Sequence, residues 1–258
     1  WFSGTINPPK GSKVNGTNKH MGGPTLDNRD SVGCERTDSG KPFSCVPLRW
    51  KTVPEYLQEA GISWRVYQDK DNFGDDPLVM WKQYQTSAKK KGDLAQRGTS
   101  FPGLQKFFDD ARDGKLPEVS YIVAPMQLSE HPPYMPMDGA WIQGEVAKAV
   151  MHGKNWDSTA LIYSYDETGG WADHVVSPYP PQSEESEWIE DPYDKSNGIT
   201  PIGPGFRLPF YIVSPWTSGG HVFTEHAAHE SQIMFLEQWA LAHGKPFTSE
   251  EIPTWRRE

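Results

Sequence analysis

Apolar positions recur along this chain with two spacings, one helical and one alternating. Thr52-Val-Pro-Glu55 has the marks of a helix start, with Thr as N-cap, Pro at an early position and Glu in the first turn. That helix runs through Tyr56-Leu-Gln-Glu-Ala60 and stops at Gly61. Ile62–Gln68 then alternates as a strand does. Leu78–Lys91 predicts a helix bearing Met80, Trp81 and Tyr84, and Phe101–Asp113 predicts another. Val119–Ala124 is a short β-rich run stopped by Pro125, and Gly139–His152 is a helix closed by Gly153. Ser158–Ser164 is apolar enough for a central, buried strand, and Leu208–Ser214 reads as a third buried strand. His229–His243 is a helix with Ile233, Met234, Leu236 and Trp239 on or near one face, ended by Gly244.

Strands that alternate with helices predict an α/β fold with a largely parallel sheet covered on both sides. Two stretches break the rhythm. Residues 1–48 lack periodicity and read as a long surface excursion, and 172–206 is an acidic, proline-rich insertion. No linker divides the chain, so a single domain over 1–258 is expected.

Composition narrows the classes. The chain has 258 residues and a formal charge of −9, which disfavours a nucleic-acid binder. Eleven Trp, 10 Tyr and 11 Phe exclude global disorder. No apolar run reaches the ~20 residues of a membrane span. The 24 Gly and 23 Pro demand many shaped loops. Cys34 and Cys45 are too few for a disulfide scaffold; as a pair they suit one disulfide in a secreted protein, or remain free thiols. Asn15-Gly-Thr17 matches a glycosylation acceptor, a tripeptide common by chance. The chain opens Trp-Phe-Ser-Gly with no initiator Met, which suggests a piece of a longer protein.

In open α/β sheets, ligands bind beyond the carboxyl ends of strands. After Ser164 come Asp166, Glu167, the pair Gly169-Gly170, then Asp173 and His174. Carboxylates and an imidazole can ligate a divalent cation, and the Gly pair lets backbone approach a bound group. The competing reading makes Asp166 and Glu167 turn or cap residues and Asp173-His174 a surface pair. After Ala124 comes Ser129-Glu-His131-Pro-Pro133, a stiff loop that could present His131 to an anion or a proton; a satisfied loop histidine is the alternative. After the last strand come His221, Glu225, His226 and His229, without the spacing of a His-Glu-x-x-His zinc site. Three such strand ends converging on one pocket point to metal-assisted hydrolysis of an anionic, phosphorylated substrate.

The segments Gly61–Gln68, Leu116–Val123, Ser129-Glu-His-Pro132, Tyr165-Asp-Glu-Thr-Gly-Gly-Trp-Ala-Asp-His-Val175 and Pro204–Phe210 resemble the phosphoesterase family of bacterial non-specific phospholipases C and some acid phosphatases. Order and spacing match along nearly the whole chain, and Phe223–Glu237 looks most like fungal members. The resemblance implies an alkaline-phosphatase-like three-layer α/β/α sandwich and hydrolysis of phosphate esters in a phospholipid or a phosphomonoester. It implies Asp166 as ligand to a divalent metal ion, with Glu167, His131, His174 and His229 in the catalytic set. The family's Asp before the last helix falls on Ala228. Its Glu-Asn metal pair and its nucleophilic Thr or Ser are expected upstream of Trp1. Gly23-Pro24-Thr25 copies the nucleophile segment in letters but falls, by position, on a later loop. The resemblance further implies a secreted, extracellular or cell-wall protein with no nucleic-acid partner, no membrane span and at most transient membrane-surface contact. A reading from another class is a non-catalytic binding module, built on the Trp residues and the acidic 182–194 segment, or an inactive piece lacking the nucleophile.

Overall fold

The computed structural model describes residues 1–8, 25, 47–191 and 194–257. Cys34, Cys45, Asn15 and the Gly23-Pro24 pair lie outside these residues. The expected helix at Thr52 is present as α1 (Val53–Glu59), where Glu55 Oε2 accepts the Thr52 N–H at 2.9 Å and Gly61 follows at φ +72°. It leads into β1 (Trp64–Gln68).

The single helix expected over Leu78–Lys91 is instead a 3-10 turn at Pro77–Met80, then α2 (Lys82–Lys89) and, separately, α3 (Asp93–Gly98). Asp76 caps the turn through the Leu78 N–H, and Lys91 at φ +53° stops α2. Helix α4 (Leu104–Asp113) ends at left-handed Gly114. β2 (Val119–Val123) pairs in parallel with β1, Trp64 opposite Val119 through Gln68 opposite Val123. Helix α5 (Pro136–Met151) follows, then β3 (Leu161–Ser164). The 172–206 insertion carries a small antiparallel hairpin, β4 (Trp188–Glu190) and β5 (Ile199–Pro201). β6 (Phe210–Val213) pairs antiparallel with β3, and α6 (His229–Ala242) closes the fold. No described helix is long and apolar enough to cross a membrane.

The molecule is mixed α/β, with its described strands in three two-stranded sheets, one parallel and two antiparallel. Alternation along β1 divides the core. Trp64 and Val66 join Leu57, Tyr121, Ile233 and Leu236 on one side, and Tyr67 joins Leu104, Phe107, Ile142 and Val146 on the other. β6 departs from its expected burial: Phe210 and Tyr211 are 45% and 40% exposed. An apolar run marks a buried strand only when both faces are covered, and β6 is an outer strand held by β3 alone among the described residues. The chain start also departs from a surface excursion. Phe2 and Trp1 pack on Tyr121, the Val53 N–H donates to the Phe2 carbonyl at 3.0 Å, and Asn7 is fully buried.

The strand edges that face each other position the site. The Val119 N–H donates to the Ser63 carbonyl at 3.0 Å, so alternation turns the backbone groups of Ser120 and Ile122 away from β1. The Tyr165 N–H reaches the Pro209 carbonyl, so Ile162 and Ser164 turn theirs away from β6. Both edges border one cleft of about 1700 Å³.

Asp76, 2% exposed, accepts from Gln68 Nε2 at 2.8 Å and from the Leu78 N–H at 3.1 Å. Burial pushes its carboxyl up from 3.8 to about 6, although both hydrogen bonds pull it down. A raised carboxyl binds more protons folded than unfolded, so its contribution to stability falls as pH rises from 4 to 6. The stability difference between Asp76→Asn and the wild type should therefore move in the variant's favour by on the order of 2 kcal/mol between pH 4 and pH 7. Urea unfolding across that range measures it, and a flat difference removes Asp76 as the cause.

Candidate active site

The carboxyl ends of β1, β2 and β3 open onto the same mouth of the cleft, and each carries an ionisable side chain there. Asp75 follows β1, His131 follows β2 and Asp166 follows β3; Glu167 lines the cleft beside Asp166. Asp75 feels both partners. Burial pushes its carboxyl up to about 6, the Asp166 charge adds to the rise and His131 opposes it.

His131 sits in a built loop. Its ring lies 4.5 Å from that of Phe73, and its Nδ1 is 2.8 Å from the Pro132 carbonyl. A carbonyl only accepts, so Nδ1 carries the proton in this contact and Nε2 keeps a lone pair. Asp166 and Glu167 show both readings of their segment at once. Asp166 Oδ1 accepts the Glu167 N–H at 3.0 Å and Glu167 Oε2 accepts the Gly169 N–H at 2.7 Å, as turn residues do. Yet both are exposed in the cleft with remaining lone pairs. Gly169 and Gly170 take φ of +62° and +82°, which this turn needs and glycine supplies.

His229 reaches the site from behind. At the start of α6 its Nε2 donates to the Tyr165 carbonyl at 2.8 Å, one residue before Asp166. Ala228 offers no cap, and Ser231 Oγ accepts its N–H instead at 3.0 Å. His174 is the residue the structure does not bring in: its side chain is 92% exposed and it borders no part of the cleft. Its neighbour Asp173 turns to Arg207, which donates through Nε and Nη2 at 2.6 and 2.9 Å. That pairing, with the Val175 N–H, holds the Asp173 carboxyl well below the usual carboxylate range.

Asp75 and Arg207 were missed in the sequence, although the strand-end rule that picks out Asp166 applies equally to the end of β1. Among the described residues, no three His, Cys, Asp or Glu side chains come together as a metal-binding group. The donors present among the described residues do not by themselves fit a divalent ion. The arrangement does offer a proton acceptor at His131 Nε2 and, below about pH 6, a proton donor at Asp75.

Comparison with known proteins agrees with the resemblance in the motifs. The non-hemolytic phospholipase C of Pseudomonas aeruginosa is 37% identical over 257 residues, covering 92% of this chain and 36% of that protein. The hemolytic phospholipase C of the same bacterium is 31% identical, with 92% of this chain and 36% of the relative covered. Phospholipase C B of Mycobacterium tuberculosis is 34% identical over 200 residues, covering 72% of this chain and 38% of its own. The chain thus spans little more than a third of the length of these curated relatives. The model of the phosphoesterase family matches residues 1–241, and the chain belongs to that family.

Proposed function

We propose that the protein acts as part of a phosphoric ester hydrolase, of the phospholipase C type acting on phospholipids or the acid phosphatase type acting on phosphomonoesters. The observation that carries this reading is the placement of Asp75, His131 and Asp166 at three strand ends on one cleft, in a chain of the phosphoesterase family. His131 Nε2 and Asp75 exchange protons with the leaving oxygen and the attacking group. The chain spans only part of its relatives' length, and on this reading the attacking hydroxyl and the ligands that would complete a divalent ion beside Asp166 belong to the remainder. On this reading the 258 residues are inactive alone, because the parts act as a unit.

The facing edges of β2 and β3 support the same picture. A strand laid between Ser120-Ile122 and Ile162-Ser164 would join the two small sheets into one three-layer α/β/α sandwich. Helices α4 and α5 would cover one face and α1 and α6 the other. The Phe223–Glu237 segment favours a fungal type of the family, and secretion to the extracellular space or cell wall goes with it.

The test is an assay of the full-length gene product against p-nitrophenyl phosphate, p-nitrophenyl phosphorylcholine and phosphatidylcholine vesicles. Turnover of the phosphorylcholine substrates assigns the phospholipase C type, and turnover of the monoester alone assigns the phosphatase type. Failure on all three overturns the reading in favour of a binding module.

A further inference from the structure

We propose that Glu130 is a positioning residue, whose carboxylate pins the His131 loop to the strand end that carries Asp166. Tyr165 and Glu130 lie 35 residues apart in sequence, yet the Tyr165 hydroxyl donates to both carboxylate oxygens of Glu130, at 2.9 and 3.0 Å. Each partner is the immediate neighbour of a candidate site residue, Glu130 of His131 and Tyr165 of Asp166. Gln143, on α5, closes the brace. Its Nε2 donates to Glu130 Oε1 at 2.8 Å and to the Tyr165 hydroxyl at 2.9 Å, and its Oε1 accepts from the Tyr211 hydroxyl. One helix, the end of one strand and one loop thus meet on a single carboxylate.

Two further observations mark the arrangement as built for that carboxylate. Glu130 takes φ +65°, a left-handed backbone that disfavours any side chain other than glycine's and persists only when its surroundings impose it. The side chain lies against Gly139 on α5, where an added Cβ would come within 2.4 Å of three Glu130 atoms. The helix surface is cut away where the carboxylate rests. His229 braces the same strand end from the other side, through the Tyr165 carbonyl at 2.8 Å. Tyr165 is therefore held at both its hydroxyl and its carbonyl, and Asp166 leaves the strand from a fixed point.

The local geometry of His131 depends on this anchor. Its N–H donates to Ser129 Oγ at 3.2 Å and its carbonyl accepts the Tyr134 N–H at 2.9 Å, both within the loop Glu130 ties down. Without the brace the backbone cost at Glu130 loses its tie to α5 and the strand end, and the loop relaxes. The bracing is independent of any activity; the word positioning rests on the phosphate-ester reading.

Two arms test the proposal separately. In this chain, Tyr165→Phe and Glu130→Ala should speed amide exchange at His131 and Tyr134 by about tenfold, with the amides of β1 and β2 unmoved. Glu130→Gln, whose amide oxygen still accepts from Tyr165, should fall between. Unchanged exchange at His131 and Tyr134 in both variants overturns the brace. In the full-length enzyme, the same two variants should lower kcat by about 10²-fold, as a displaced catalytic group does, with KM within about twofold. Faster exchange with an unchanged kcat overturns the positioning role. A wild type without turnover overturns the phosphate-ester reading instead, and the exchange arm still decides the brace.

Discussion

Asp166→Ala should lower phosphate-ester turnover by the full-length enzyme by on the order of 10³-fold, the scale seen when one charged or hydrogen-bonding member of a catalytic unit is removed. The change should leave the fold almost untouched. Asp166 is exposed, and its one described hydrogen bond is to the neighbouring Glu167 N–H. Substitution at such a surface position costs within about 0.5 kcal/mol. The variant also has a second readout. The Asp166 charge is one of the causes that raise the Asp75 carboxyl to about 6. Removing that charge lets Asp75 titrate lower, so the alkaline limb of any residual pH–rate profile, where the Asp75 proton is lost, should move to lower pH. Asp166→Asn should behave alike in both respects, because it removes the charge while keeping the shape. Steady-state kinetics from pH 4 to pH 8, with a carboxyl-resolved NMR titration of Asp75, measures both effects. Turnover within a few-fold of wild type in either variant takes Asp166 out of the site.

Arg256→Ala should be the most destabilising single change outside the apolar core. Arg256 Nη2 pairs with Glu187 Oε2 at 2.7 Å, its Nε reaches Glu187 Oε1 at 3.0 Å, and Nη1 pairs with Glu230. Trp255 Nε1 donates to the same Glu187 oxygen at 3.2 Å. The side chains of Glu187, Glu230 and Arg256 are only 6%, 13% and 16% exposed. Truncating Arg256 leaves two carboxylates shut in together without their cation, a situation that costs about 3–5 kcal/mol. For a chain of this size that is a fall in Tm of about 10 °C. The loss should shrink at pH 4–5, where the stranded carboxylates can take up protons, and a second change, Glu187→Gln, should restore part of it. Calorimetry at pH 4.5 and pH 7.5 decides the matter. A shift under about 2 °C at both values would mean that solvent reaches the cluster after all.

What the sequence made legible follows from where each signal is stored. Helices α1, α5 and α6 carry their caps, breakers and apolar stripes locally, so Thr52-Val-Pro-Glu55, Gly153 and Gly244 mark them without help from the fold. The stretch after Asp76 misled because Leu78, Trp81 and Tyr84 keep a helical spacing across a real break. All three point into one core, and burial preserves the spacing while Trp81, extended at φ −85° and ψ 133°, breaks the backbone between Met80 and Lys82. β6 misled because an apolar composition does not say how many neighbours a strand has. The same division holds at the site. That His131 and Asp166 would border the cleft was legible because a strand end is a local feature. His174 looked equivalent, but its side chain lies in solvent while its neighbour Asp173 is claimed by Arg207 from 34 residues away. Asp75 gains its raised carboxyl from burial and from the Asp166 charge across the cleft, and Glu130 its place from Tyr165 and Gln143, all set by the fold rather than by local sequence.

The open edges of β2 and β3 bear on how such a protein is made. Among the described residues no strand covers the N–H and C=O groups at Ser120, Ile122, Ile162 and Ser164, and such rows can be occupied by an extended segment of another molecule. The chain should therefore self-associate with increasing concentration, through sheet extension at these two rows. A lysine placed at Ile162 would blunt one row, and the yield of monomer on gel filtration would report how far that row drives the association.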